Sequence, residues 1–220
     1  AFRAWRQYPM TSRSALQGLV VAERGGRLAS AIATTLLAEL GATVQRLEDD
    51  CGRPASDPPA WHHHPLALGG KSRVAAGSDA EGRWRAMSAC AHVAFVSAST
   101  SGAAASAAPL TVVLTAAGTD GANPTGSELA VQAASGAMAT TGAPGGAPCA
   151  IRAPMLEALA GINAAASALA ALRAGSNGTL DLALVDSAVA LAGTFHPQAL
   201  ANPARRFRNG SRHTLCAPWN

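Results

Sequence analysis

Short apolar runs alternate along the chain with segments of helical spacing. Gly18-Leu19-Val20-Val21-Ala22 is continuous and apolar and reads as a buried strand. Leu28, Ile32, Leu36, Leu37 and Leu40 then recur on one helix face, Gly41 stands where a helix stops, and Thr43–Leu47 alternates like a strand. The succession repeats as Ser72–Ala76 (strand), Asp79–Ser88 (helix) and His92–Ser97 (strand), followed by a fourth apolar strand at Leu110–Thr115. Ser127–Thr140 has helical spacing, whereas Gly142–Pro148, with its prolines and glycines, breaks any ladder. Met155 to Ala174 is the longest helical signal, closed by Gly175 and followed by a strand over Leu180–Val185. Asp186 is placed to cap a further helix starting at Ser187. Strands alternating with helices predict an α/β fold: a parallel-sheet, Rossmann-like domain with helices on both faces. The expected boundaries are an extension over 1–15, the α/β domain over 16–196, and the start of a connection over 197–220.

Composition narrows the function classes. Hydrophobic residues make up 49% and charged residues 14%, which excludes a chain disordered throughout. No uninterrupted apolar run reaches the roughly 18–20 residues of a membrane span, so no membrane partner is expected. The opening AFRAWRQYPM lacks the apolar stretch of an export signal, and the expectation is a cytoplasmic protein. Cys51, Cys90, Cys149 and Cys216 form no CxxC pair, and reduced thiols are expected rather than a disulfide or zinc framework. The net charge of +4 is carried by arginine, because Lys71 is the only lysine. Arginines cluster at both ends (Arg3, Arg6 and Arg13; Arg205, Arg206, Arg208 and Arg212), but aromatics at 4% are too few for the stacking that single-stranded nucleic acid demands. A small phosphate-bearing ligand fits better.

Several motifs fail on inspection. His62-His63-His64 has no partner at ligand spacing and reads as a loop. Gly70-Lys71-Ser72 resembles the end of a phosphate loop, but Pro65 stands where the first glycine belongs. No GxSxG elbow exists, so a hydrolase triad is unsupported. Two features survive. The Arg24-Gly25-Gly26-Arg27 turn joins a strand to a helix and brings amides and guanidiniums to the carboxyl edge of the sheet, where phosphate collects. Glu157 opens the longest helix, whose remaining side chains are almost all apolar. Its plain reading is complementation of the helix dipole.

Five segments, in order, resemble the class III CoA-transferases, the formyl-CoA and carnitine CoA-transferase type that includes alpha-methylacyl-CoA racemase. They are LQGLVVAERGGRLASAIATTLLAELGATVQRLE (Leu16–Glu48), GGKSRVAAGSDAEGR (Gly69–Arg83), VQAASGAMATTGAPGGAP (Val131–Pro148), LEALAGINAAASALAALRAGSNGTLDLALVDSA (Leu156–Ala188) and RNGSRHTLCAPWN at the end. The resemblance implies transfer of coenzyme A between an acyl-CoA thioester and a small carboxylic acid. The route is an enzyme-bound anhydride and then an enzyme thioester, with no permanently bound cofactor. The aspartate that heads the family's helix corresponds to Glu157, one methylene longer. Lys71 matches a lysine near the CoA nucleotide, against the alternative of a solvated lysine at a strand start, with Arg73 able to share its task. Arg46 and Arg24, at the ends of the first two strands, are the next CoA candidates. Ser97–Gly102 is small and uncharged where the family carries a basic CoA-contacting segment, and the family's second, smaller domain is not represented. The resemblance also implies an interlocked homodimer or a complex with the complementary half. Two rival expectations stand beside transfer: a catalytically degenerate CoA-binding or scaffold half, and an acyl-CoA racemase, whose kind pairs an acid with a histidine, a role for which His92 lies on a strand too early in the chain.

Overall fold

The computed structural model describes residues 14–48, 69–97, 106–118, 126–141 and 146–193. Six parallel strands form one sheet: β1 (Val20–Arg24), β2 (Thr43–Glu48), β3 (Lys71–Ala75), β4 (Val93–Ser97), β5 (Leu110–Thr115) and β6 (Gly178–Ala183). Their order across the sheet is β3-β2-β1-β4-β5-β6. The helices are α1 (Leu28–Glu39), α2 (Ala80–Ala89), α3 (Glu128–Ala134), α4 (Ala137–Thr141), α5 (Met155–Arg173) and α6 (Leu184–Gly193). This is the α/β architecture the hydrophobic pattern predicts.

The two faces of the sheet are covered separately. Val21, Val44, Val93, Phe95, Leu110 and Val112 pack with α1 and α5 in the larger core. Ala22, Leu47, Ala94 and Val96 meet Trp84 of α2 on the other face. Central strands buried on both faces read as unbroken apolar runs, and β4 and β5 are buried at every position. Asp79 caps α2, its Oδ1 accepting from the Gly82 N–H at 2.9 Å.

Three departures from the expected boundaries exceed a single residue's shift. β1 runs two residues further than the apolar run, into Glu23 and Arg24, because its register with β2 (Val20 against Thr43) carries pairing through Arg24 against Leu47. The Ser127–Thr140 segment is two helices, broken at Ser135-Gly136, where Gly136 takes φ of 77°. β6 begins at Gly178, and α6 starts directly at Leu184, so Asp186 lies inside its first turn rather than capping it. By length and composition α5 could cross a membrane, but Leu156, Ala160, Ala164 and Ala168 on it are buried in the core. The terminal arginine clusters, the histidine run and residues 98–102 lie outside the described residues.

Candidate active site at the carboxyl edge of the sheet

After β3 the chain returns to the other side of β1, so the connections leaving β1 and β4 diverge at the carboxyl edge. Such a switch point opens a crevice between neighbouring strand ends. Arg27 is the N-cap residue of α1, in extended conformation, and its side chain makes no cap. The helix N-terminus is therefore open to an acceptor from elsewhere.

Glu157 of α5 supplies it. Its Oε2 accepts from the Ala29 N–H at 2.8 Å, and its Oε1 accepts from Arg27 Nη2 at 2.7 Å. Arg27 Nη2 also donates to the Gly126 carbonyl at 3.0 Å. Arg27 is 0% exposed and Glu157 3%. A paired, hydrogen-bonded carboxylate is the only kind of charge such a position tolerates. Ser97 closes the β4 side, its hydroxyl lying 3.4 Å from the Arg27 N–H and 3.3 Å from Ser30 Oγ.

α3 aims α5 at this point. Pro154 at the N-cap of α5 has no side chain to cap with, and the carboxylate of Glu128 does so instead. It accepts from the Leu156 N–H at 3.0 Å and the Glu157 N–H at 2.8 Å. Buried Gln132 pins the approach to α5 by bonding both the N–H and the carbonyl of Ile151, at 2.9 and 3.1 Å. Gly161, one turn beyond Glu157, lets α5 close on α1: a Cβ there would lie 2.7 Å from the Ala29 carbonyl oxygen.

The basic candidates separate into two groups. Arg46 and Lys71 converge on Glu23, beneath α1. Arg46 Nη1 pairs with Glu23 Oε1, Lys71 Nζ donates to Glu23 Oε2 at 2.8 Å and to the Ala31 carbonyl at 2.9 Å, and Thr34 completes the cluster. Lys71 is thus not a solvated lysine. Burial holds its pKa below the ordinary value of 10.5, against the opposing pull of Glu23. Arg24 turns to the other face, where Glu81 takes it bidentately at 2.6 and 3.0 Å and Trp84 lies 6.0 Å from its guanidinium. That pairing depresses the pKa of Glu81, whose side chain is 69% exposed. Arg73 pairs with Glu48. His92 accepts from the Val20 N–H at 3.0 Å, at the amino edge of the sheet and away from Glu157.

Sequence reasoning brought Arg27 to the right edge but gave it no partner, and it missed Glu23 and Glu128. An acid inside the apolar run of β1 was a usable signal, since a buried carboxylate requires a cation. Among the described residues no group of three or more His, Cys, Asp or Glu could hold a metal ion. Beside Gly126, a cavity of about 130 Å³ opens between the end of β5, α3 and α6, lined by Ala116, Ala117, Ala130, Val131 and Val185 among others.

The profile of CoA-transferase family III matches residues 112–220, the part of the chain that carries Glu128, Gln132 and Glu157. A solved structure of the hypothetical protein Rv3272 from Mycobacterium tuberculosis is similar at 24% identity and a TM-score of 0.69, over 89% of this chain and 62% of that one. A CAIB/BAIF family protein from Brucella suis is similar at 20% identity and 0.67, over 92% of this chain and 60% of that one. These likenesses establish the shared fold. The chain spans about three fifths of the length of the solved structures it matches. Comparison with curated proteins finds no match.

Proposed function

We propose that the chain is the nucleophile-bearing part of a CoA-transferase. The reading is carried by the placement of Glu157: a buried carboxylate at the switch point, held by a guanidinium and by the first turn of α1. A Glu157 oxygen attacks the thioester carbonyl of an acyl-CoA and expels CoA thiolate, leaving a mixed anhydride. The thiolate then attacks Cδ of Glu157, releasing the acid and leaving a glutamyl-CoA thioester. An acceptor carboxylate repeats the two exchanges in reverse and restores Glu157. The cavity beside Gly126 supports a short aliphatic acyl group: an engineered apolar cavity of similar size, about 150 Å³, holds a benzene molecule. Of the basic candidates, Arg24 is the one whose partner is an exposed carboxylate that a CoA phosphate could replace. The remaining parts of the site come, on this proposal, from a second copy or a complementary half.

Incubating the protein with a short acyl-CoA and hydroxylamine tests this, with glutamyl hydroxamate at Glu157 as the expected product. Its absence from folded protein would sink the transferase reading. One observation favours a second reading. Both Glu157 oxygens hold α5 onto α1, as a purely structural tie would, and CoA binding measured calorimetrically without any adduct would favour that degenerate role.

A further inference from the structure

We infer that Arg27 is itself a catalytic residue, supplying the charge that draws each anionic nucleophile onto acylated Glu157. The inference rests on the transferase reading and adds a residue to it. At rest, Arg27 and Glu157 form a neutral pair sealed from water. Acylation turns the Glu157 carboxylate into a neutral anhydride, and the buried guanidinium then lacks a counter-charge. An uncompensated buried charge is strongly unfavourable, and an incoming anion relieves it.

The geometry suits the step. CoA thiolate adds to Cδ, forming the carbon–sulfur bond and moving the carbonyl electron pair onto a Glu157 oxygen. The tetrahedral adduct collapses by breaking the Cδ–O bond to the acyl group, which departs as a carboxylate with the negative charge. Each Glu157 oxygen already faces one donor, Arg27 Nη2 at 2.7 Å from Oε1 and the Ala29 N–H at 2.8 Å from Oε2, so whichever of them becomes the oxyanion has a donor at the separation its stabilisation needs. Arg27 also has donors in reserve: Nε and Nη1 are buried and find no hydrogen-bond partner among the described residues. Buried unpartnered donors call for an explanation. The adduct provides one, because it presents an acyl oxygen that the resting carboxylate lacks. After collapse the thioester is again neutral, so the same cation attracts the acceptor carboxylate.

Rapid-quench mass spectrometry of the glutamyl-CoA thioester tests the assignment with the full chain. Arg27→Gln is expected to slow thioester formation by about 10²–10³-fold, the loss typical of one oxyanion donor. Arg27→Lys, which keeps the charge, should remain within about tenfold of wild type. Arg27→His serves if the Gln variant does not fold. Its thioester rate relative to wild type should fall at least about tenfold between pH 5.5 and 8.5, as the imidazole loses its proton. A folded Gln variant at the wild-type rate, a Lys variant as slow as Gln, or a flat pH ratio for the His variant would each overturn the role of Arg27. A wild-type protein that forms no thioester would instead overturn the transferase reading, and the role of Arg27 with it.

Discussion

Replacing Gly161 with alanine sets two known effects against each other at the α1–α5 contact. Glycine inside a helix is less stable than alanine by roughly 0.5–1 kcal/mol, so on propensity alone the variant should gain that much. The new methyl, however, would sit 2.7 Å from the Ala29 carbonyl oxygen and 2.9 Å from Ile32 Cβ. Neither neighbour is the tip of a flexible side chain, so relief requires the helices to part by several tenths of an ångström. Overpacking of this kind costs about 1–3 kcal/mol. The packing term wins, and a net loss of about 1–2 kcal/mol is expected. In a domain of this size that lowers Tm by about 2–4 °C for each kcal/mol. The contact also has a chemical side, because Ala29 is the residue whose N–H holds Glu157 at 2.8 Å. Moving it lengthens that bond towards the limit of useful geometry. Urea unfolding gives the stability, and hydrogen exchange of the Ala29 amide reports the bond. A variant as stable as wild type, with Ala29 protection unchanged, would refute the close approach of the two helices.

Other perturbations probe other parts of the site. Glu157→Gln keeps the shape but leaves Arg27 unpaired, and should cost about 3–5 kcal/mol in chemical unfolding, as breaking a buried pair does. Lys71 has a folded pKa below its unfolded one, so over the alkaline window beneath 10.5 the unfolded chain binds more protons and wild-type stability rises with pH. Lys71→Met should lack that rise when urea midpoints are compared across the window; identical pH slopes would contradict the burial of Lys71. Arg24→Met should weaken CoA binding about tenfold in calorimetry, the loss of roughly one charged hydrogen bond. Ala134→Leu, which projects into the cavity wall, should weaken butyryl-CoA binding several-fold while sparing acetyl-CoA; equal effects on both would remove the cavity from the acyl site.

The sheet was legible because strands buried on both faces cannot hide. Leu110–Thr115 holds only aliphatic residues and threonine and was bounded to the residue. Where a strand carries charge the pattern failed, and β1 continues through Glu23 and Arg24 because each finds a counter-ion on its own face of the sheet. Those partners come from β2, β3 and α2, and hydropathy along one segment contains no record of them. Glu157 was legible as a candidate by its isolation in an apolar helix. Its partners were not: Arg27 lies 130 residues away, and the Glu128 cap belongs to another helix. The choice of Lys71 and Arg46 as CoA contacts weighed charge and strand position and took no account of Glu23, a buried acid that engages both.

The separation between Arg27 and Glu157 has a consequence for the order in which the protein is made. Translation at about 5–20 residues per second leaves an interval on the order of ten seconds between the emergence of the arginine and of its counter-ion. Throughout that interval β1 and α1 exist without the acid that neutralises their carboxyl edge. Burial of Arg27 is therefore coupled to the arrival of α5, and the nascent N-terminal third is expected to keep this edge hydrated until then. A stalled chain ending before Met155 should expose Arg27 to modification by a dicarbonyl reagent, and one extending past Arg173 and the ribosomal tunnel should protect it.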